Sequence, residues 1–273
     1  MIHSDGYIGK KHLNTAIRTV LSNPLHQDVE NSPILKFAIL RVPYFLEPEY
    51  DESQPYIESN RTRLLKKWGG KDGWERQKQH HDLKGRGLSA GIPYFNLDRL
   101  ASNTMASHRL IQYIGKRFGL HVSEAVYDQL NIYYFVDGHS LNDKPRLARV
   151  TTETVNSILN KQQQQQQQQH ATTDDQEIVI EEEILSFLNG NKGRVEIDNA
   201  LRTLQKLGVH GIPTFIIEGT TIVDGAAGPE TFVNVFREIE KRGSVRGPIF
   251  SDILGVSEDV WMKGSHTRES LCP

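Results

Sequence analysis

The stretch GVHGIPTFII (208–217) places an Ile212-Pro213 bond at the start of an apolar, β-branched run. A regular ladder is not expected to begin there, because proline donates no N–H and Gly211 loosens the chain beside it. Gly211, Ile212, Pro213 and Thr214 are therefore candidates for binding rather than for bond-making. With the Ile212-Pro213 bond in cis, the N–H and C=O of Ile212 would turn outward and could pair with an extended guest chain. Other reactive residue types are sparse or badly spaced. Cysteine occurs once, at Cys272, so the chain encodes no internal disulfide, no Cys-x-x-Cys pair and no cysteine metal site. His80-His81 and the remaining histidines lack the spacing to carboxylates that a metal site needs, and none is expected. His108, in the helix-like NTMASHRL, is expected to be structural, although it could face a cleft. GRGLSAG (85–91) fits the spacing of a dinucleotide loop, but RQKQHHDLK before it is no strand, so that reading is rejected. The triplet NRT at Asn60 fits a glycosylation acceptor without a secretory leader to support it.

The elements that must position these residues alternate in type. Residues 7–21 carry Leu13, Ile17, Val20 and Leu21 at helical spacing, predicting an amphipathic helix that begins just after Gly9. ILKFAILRVPYFL (34–46) reads as a strand ended by Pro43. From about 58 to about 158 the period is helical, with Ser123 opening the stretch SEAVYDQLNIYYFVDG. QQQQQQQQ and its polar flanks, about 152–175, cannot bury enough apolar surface to order themselves and are read as a disordered insertion. Helices over 177–190 and 194–208 follow, then strand 213–217, a turn, a short strand at Ile222-Val223 and a last helix. Pro229 and Gly243 mark the ends of that helix. The stretch from Arg246 onward has no clear period. Such an order, a helical excursion between two parts of one sheet, is α/β with an inserted helical domain.

Totals exclude some classes of partner. Lys plus Arg is 32 against 34 for Asp plus Glu over 273 residues, a formal charge of -2. Nothing in that balance attracts nucleic acid or an anionic membrane. No apolar run approaches a membrane span, and the first residues have no apolar leader, so a cytoplasmic protein is expected.

The motifs YIGKKHL, AGIPYFN (90–96), NTMASHRL (103–110), YFVDGHSLND (134–143), GVHGIPTFII and DGAAGPETF (224–232), in this order, resemble the DsbA-like thioredoxin family and its FrnE branch. Relatives of that branch include 2-hydroxychromene-2-carboxylate isomerases and kappa-class glutathione transferases. The resemblance implies a thioredoxin-like fold with an inserted α-helical domain and thiol-disulfide oxidoreductase chemistry. It also implies a proline loop whose Gly211, Ile212, Pro213 and Thr214 hold a peptide or glutathione by main-chain bonds.

The resemblance also marks a departure. Members of the branch read Cys-Pro-Trp-Cys directly before Tyr-Ile-Gly-Lys, and here those places hold His3, Ser4, Asp5 and Gly6. Neither His3 nor Gly6 can exchange a disulfide, so the chain is expected to be redox-inactive. Ser4 is a candidate for assisting a glutathione thiolate, as a serine does in the isomerases and kappa transferases; the competing expectation is that Ser4-Asp5 only caps the helix. A first strand would lie centrally in such a sheet, yet MIHSD offers at most a stub. The strand and its cysteines are accordingly expected upstream of Met1 in a longer version of the protein. The domain reading is 1–57 with 194–245 as the thioredoxin-like part, 58–193 as the helical insertion and 246–273 as a tail. No cofactor is expected beyond glutathione as a ligand.

Overall fold

The computed structural model describes residues 3–25, 35–167, 178–247 and 249–266. The first helix, α1 (Ser4–Ser22), is longer than its apolar period suggests. It starts at Ser4 rather than after Gly9 because Tyr7 and Ile8 are buried too, packing on the helical block, while Leu13, Ile17, Val20 and Leu21 pack the other way. Ser4 and Asp5 therefore lie inside its first turn. The N-cap is His3, which makes no side-chain cap bond, so the capping role expected for Ser4-Asp5 is not the one they hold. Gly9 permits a close crossing: a Cβ there would lie 3.0 Å from the ring of Phe215.

Residues 35–45 have the side-chain alternation of a strand but not its ladder. Leu35, Phe37 and Ile39 join a core beneath α1, whereas Leu40, Val42 and Tyr44 join a core on the opposite side. Among the described residues its one backbone bridge is antiparallel, Phe37 with His266. The expected strand 34–46 is thus an extended chain, because the edge it would share with a neighbour faces open space.

A hairpin supplies the regular sheet. β3 (Thr214–Ile217) pairs antiparallel with β4 (Thr221–Asp224), with Phe215 opposite Val223 and Ile217 opposite Thr221. Glu218 and Gly219, both at positive φ (52° and 73°), close its turn. Phe215 and Ile217 enter the same core as Phe37 and Ile39, and Ile216 enters the same core as Leu40 and Val42. The two extended segments therefore lie in one layer, sandwiched between the same helices. On one face are α1 and α10 (Pro229–Arg242), the latter with Pro at its start and Gly243 at its end. On the other are α9 (Arg194–Lys206) and α11 (Ser251–Leu254). A short α12 (Glu258–Lys263) leads to the 264–266 stretch beside Phe37.

Between these halves lies the helical block. It comprises α2 (Asn60–Lys67), α3 (Lys71–His81), α4 (Leu83–Ser89), α5 (Met105–Phe118), α6 (Leu120–Phe135), α7 (Lys144–Gln167) and α8 (Glu181–Asn189). Its core holds Leu110, Ile114, Val126, Leu130 and Leu147. α6 opens at Leu120, after Gly119, rather than at Ser123. The segment expected to be disordered over about 152–175 is helical through Gln167, since Val155 is buried and Ile158 and Leu159 pack against the core, and glutamine is itself a fair helix former. Residues 168–175 lie outside the described residues, as does Cys272. A two-stranded ladder, β1 (Glu58–Ser59) with β2 (Leu100–Ala101), pins the start of α2 to the chain that leads into α5.

Buried charge ties block to sheet. The Arg41 guanidinium grips Glu124 of α6 with two bonds of 2.5 Å, and the fully buried Lys10 ammonium sits 3.5 Å from Glu124 and 2.8 Å from Asp128. These cations hold the Glu124 carboxyl down at about 2 although burial alone would raise it. Arg109, 1% exposed, donates to the carbonyls of Phe187, Leu188, Gly190 and Lys192, where α8 ends and the turn to α9 begins.

Candidate functional site

Two cavities meet near the start of α1. One, of about 690 Å³, runs between the 35–42 segment and β3 and is lined by Gly6, Ile212, Pro213 and Thr214 among others. Gly225 N–H donates to Pro213 C=O at 2.8 Å, continuing the hairpin by one pair. In an antiparallel pair the main-chain groups of alternate residues face opposite edges. Pro213, Phe215 and Ile217 thus serve β4, and Ile212, Thr214 and Ile216 present theirs to the cavity. On the far bank, Phe37 is bonded to 265–266, Ile39 N–H to Ser265 and Arg41 C=O to Gln112. That leaves Ala38, Leu40 and Val42 to face inward. Among the described residues neither inward set has a main-chain partner.

The Ile212-Pro213 bond is cis. Pro213 is buried, Ile212 and Thr214 half-buried and Gly211 exposed. Thr214 Oγ1 lies 3.0 Å from the Gly211 carbonyl and 2.8 Å from Asp224 Oδ1, and Tyr44 Oη donates to the His210 carbonyl at 2.9 Å. The loop is thereby held from both sides. Of the four sequence candidates Ile212, Pro213 and Thr214 line one wall together, whereas Gly211 sits beside it at the surface.

The second cavity, about 640 Å³, lies between the N-terminus of α1 and the helical block. Ser4, the remaining candidate, lines this one, with His3 and Asp5. It is 8% exposed, and among the described residues its hydroxyl has no hydrogen-bond partner, hence no base to activate it. His3 is the nearest imidazole in sequence. Burial pushes its pKa down to about 4, opposed by Asp5 at 3.7 Å and reinforced by Arg99, Arg63 and Lys67. Asp5 is in turn bound to Arg86 at 2.5 Å. His108 also faces this cavity; burial lowers it to about 3, and Nε2 is 3.2 Å from the Tyr44 carbonyl. Both imidazoles are neutral near pH 7.

Several polar groups here have no sequence signal. Asn60, Arg99 and Ser102 are 1%, 7% and 9% exposed, and Asn60 Nδ2, Arg99 Nε and Ser102 Oγ lack any hydrogen-bond partner. Asn60 and Arg99 meet because the β1–β2 ladder brings Asn60 N–H onto Arg99 C=O at 2.8 Å. The burial of Asn60 also removes it as a glycosylation acceptor. No thiol stands at the first turn of α1, and among the described residues no cluster of His, Cys, Asp or Glu could hold a metal. No helix among them is long and apolar enough to cross a membrane.

Known structures include a similar chain: a crystal structure of a probable DsbA oxidoreductase from Streptomyces coelicolor. It matches with a TM-score of 0.65 at 20% identity, over 91% of this chain and 88% of that one. No protein-family model matches, and no curated protein does. At that identity the likeness establishes the architecture, which is a DsbA-like thioredoxin fold with an inserted helical domain.

Proposed function

We propose that this chain is a DsbA-like protein of the FrnE type that binds without exchanging disulfides, its guest an extended peptide or glutathione held by main-chain bonds along Ile212. The carrying observation is the open edge formed by Ile212, Thr214 and Ile216, facing a cavity whose opposite bank is also unpaired. An extended chain satisfies both rows of donors and acceptors at once, which a compact ligand cannot do. Redox inactivity follows from chemistry: the exchange reaction begins with a thiolate, and His3, Ser4, Asp5 and Gly6 supply none at the helix start.

The test pairs two measurements on the same chain. With insulin and dithiothreitol it should not accelerate reduction above the buffer rate; acceleration would overturn the inactive reading. A fluorescein-labelled seven-residue peptide of alternating Val and Thr, and separately glutathione, should bind. Ile212→Pro removes one inward N–H and should weaken the peptide about three- to tenfold, the worth of one hydrogen bond. Unchanged peptide affinity in that variant would sink the edge-binding reading.

A further inference from the structure

The end of α10 carries a pattern that neither cavity explains. In Lys241-Arg242-Gly243-Ser244-Val245 two cations stand three and two places ahead of a serine, with an apolar side chain directly after it. Basophilic serine kinases select that arrangement, because their substrate cleft offers carboxylates to the two cations and an apolar pocket to the following residue. Lys and Arg occur as adjacent pairs at 10–11, 66–67, 116–117 and 241–242, and at the same spacing the first three are followed by Leu13, Gly69 and Gly119. Ser244 alone supplies a hydroxyl.

The fold leaves this serine accessible. α10 ends at Arg242, Gly243 turns the chain at φ 67°, and Ser244, Val245 and Arg246 continue exposed and outside any helix or strand. The Ser244 carbonyl accepts from Arg242 Nε at 3.0 Å, while its hydroxyl has no partner among the described residues. What surrounds it is organised by one carboxylate. Glu218, at positive φ in the β3–β4 turn and with its side chain 8% exposed, accepts from Arg242 Nη2 at 2.5 and 2.6 Å and from the Arg246 N–H at 3.3 Å. Arg246 Nη1 also reaches Thr220 Oγ1 at 3.2 Å. The segment after α10 is thus strapped across the hairpin turn, so closely that a Cβ on Gly219 would lie 2.6 Å from Ile249. Ser244 and Val245 line the same end of the groove beside β3.

We propose that Ser244 is a phosphorylation site and that its phosphate unfastens the strap from the β3–β4 turn. Ser244 Oγ attacks the γ-phosphorus of ATP; an O–P bond forms as the bond to the ADP oxygen breaks, and the hydroxyl proton passes to the catalytic carboxylate of a basophilic kinase. The product carries a charge of about −1.5 to −2 near pH 7. It sits just past the negative end of α10 and two residues from both Arg242 and Arg246. A phosphate dianion competes for these cations with more charge and more acceptor oxygens than Glu218 has. Glu218 then loses its guanidinium in a largely enclosed place and faces a second anion besides. The site lies at the opposite end of β3 from Pro213, and the inference does not depend on which guest the Ile212 edge holds.

The test uses the folded full chain, ATP and the catalytic subunit of cyclic-AMP-dependent protein kinase. Mass spectrometry should find one phosphate, on Ser244, and Ser244→Ala should abolish it. Lys241→Gln, which leaves the Arg242–Glu218 contact in place, should slow incorporation about fivefold or more. In the phosphorylated chain, hydrogen exchange of the amides in 218–224 and 244–247 should quicken about tenfold, with α5 and α6 unchanged. Arg242→Gln removes the same clamp without a phosphate and should quicken the same amides. Near-ultraviolet circular dichroism verifies the native fold of each variant. Phosphate elsewhere with none on Ser244 would overturn the site. Exchange in 218–224 that neither phosphorylation nor Arg242→Gln moves would overturn the release.

Discussion

Two buried polar regions of this molecule are treated in opposite ways. Under α1, Lys10, Arg41, Glu124 and Asp128 complete one another, with a two-pronged guanidinium–carboxylate grip at the centre. In the region of β1 and β2, Asn60 Nδ2, Arg99 Nε and Ser102 Oγ are just as buried but lack hydrogen-bond partners. The first arrangement fixes where block and sheet meet, with Asp128 Oδ1 as its one atom lacking a hydrogen bond. The second leaves hydrogen-bonding capacity unused.

The contrast can be broken most severely at its closed end. Glu124→Ala leaves the buried Arg41 without its carboxylate and Lys10 with Asp128 alone, and should cost about 3–5 kcal/mol, measured as a shifted urea midpoint at constant slope. A loss below 1 kcal/mol would mean that the cluster is as open to water as the cavity. Acid should expose the same division. Glu124, held near 2 in the folded state against 4.5 unfolded, stabilises fully above about pH 4.5 and loses that contribution as the pH falls toward 2. His108, held near 3 against 6.5, resists protonation when folded, so its share of stability declines as the pH drops from 6.5 toward 3. His108→Gln should accordingly flatten the stability profile between pH 6.5 and 4.5, and Glu124→Gln should flatten it below 4.5; denaturant titrations at each pH would show whether the two windows separate. The smallest effect belongs to the open end. Ser102→Ala removes an unpaired buried hydroxyl and should change stability by no more than about 0.5 kcal/mol, with gain as acceptable as loss. A cost of 2 kcal/mol would show that the hydroxyl is satisfied after all.

The sequence disclosed periodic elements better than it disclosed partnerships. α10 and the β3–β4 hairpin were readable because their apolar spacing, Pro229, Gly243 and the Glu218–Thr221 turn each carry a local signal. The 34–46 stretch has a strand's composition, and its residues do alternate between two cores, but a ladder depends on a neighbour that no local pattern encodes. The start of α1 was hidden because the apolar period becomes visible only after Gly9 and Ser4-Asp5 reads as a cap, whereas burial of Tyr7 and Ile8 decides the matter. Composition masked the far end of α7, where polar glutamines continue a helix nucleated by Leu147 and Val155. The loop at Gly211–Thr214 was flagged by its glycine and proline. Asn60, Arg99 and Ser102 were not, since they come from chain ends joined by a two-residue ladder, and no spacing announces that they will meet.

Arg109 has a mechanical consequence. Four carbonyl oxygens from 187–192, on the return crossing, converge on one planar cation, and the outward crossing is fastened in kind: Asn142 donates to the Glu52 and Gln54 carbonyls, Ser140 to Pro55 and Asn103 to Tyr50. Both passages between block and sheet are thus welded rather than hinged. Whatever enters either cavity meets walls that keep their spacing, so selection by size and shape falls to rims and side-chain rotation, not to a closing jaw.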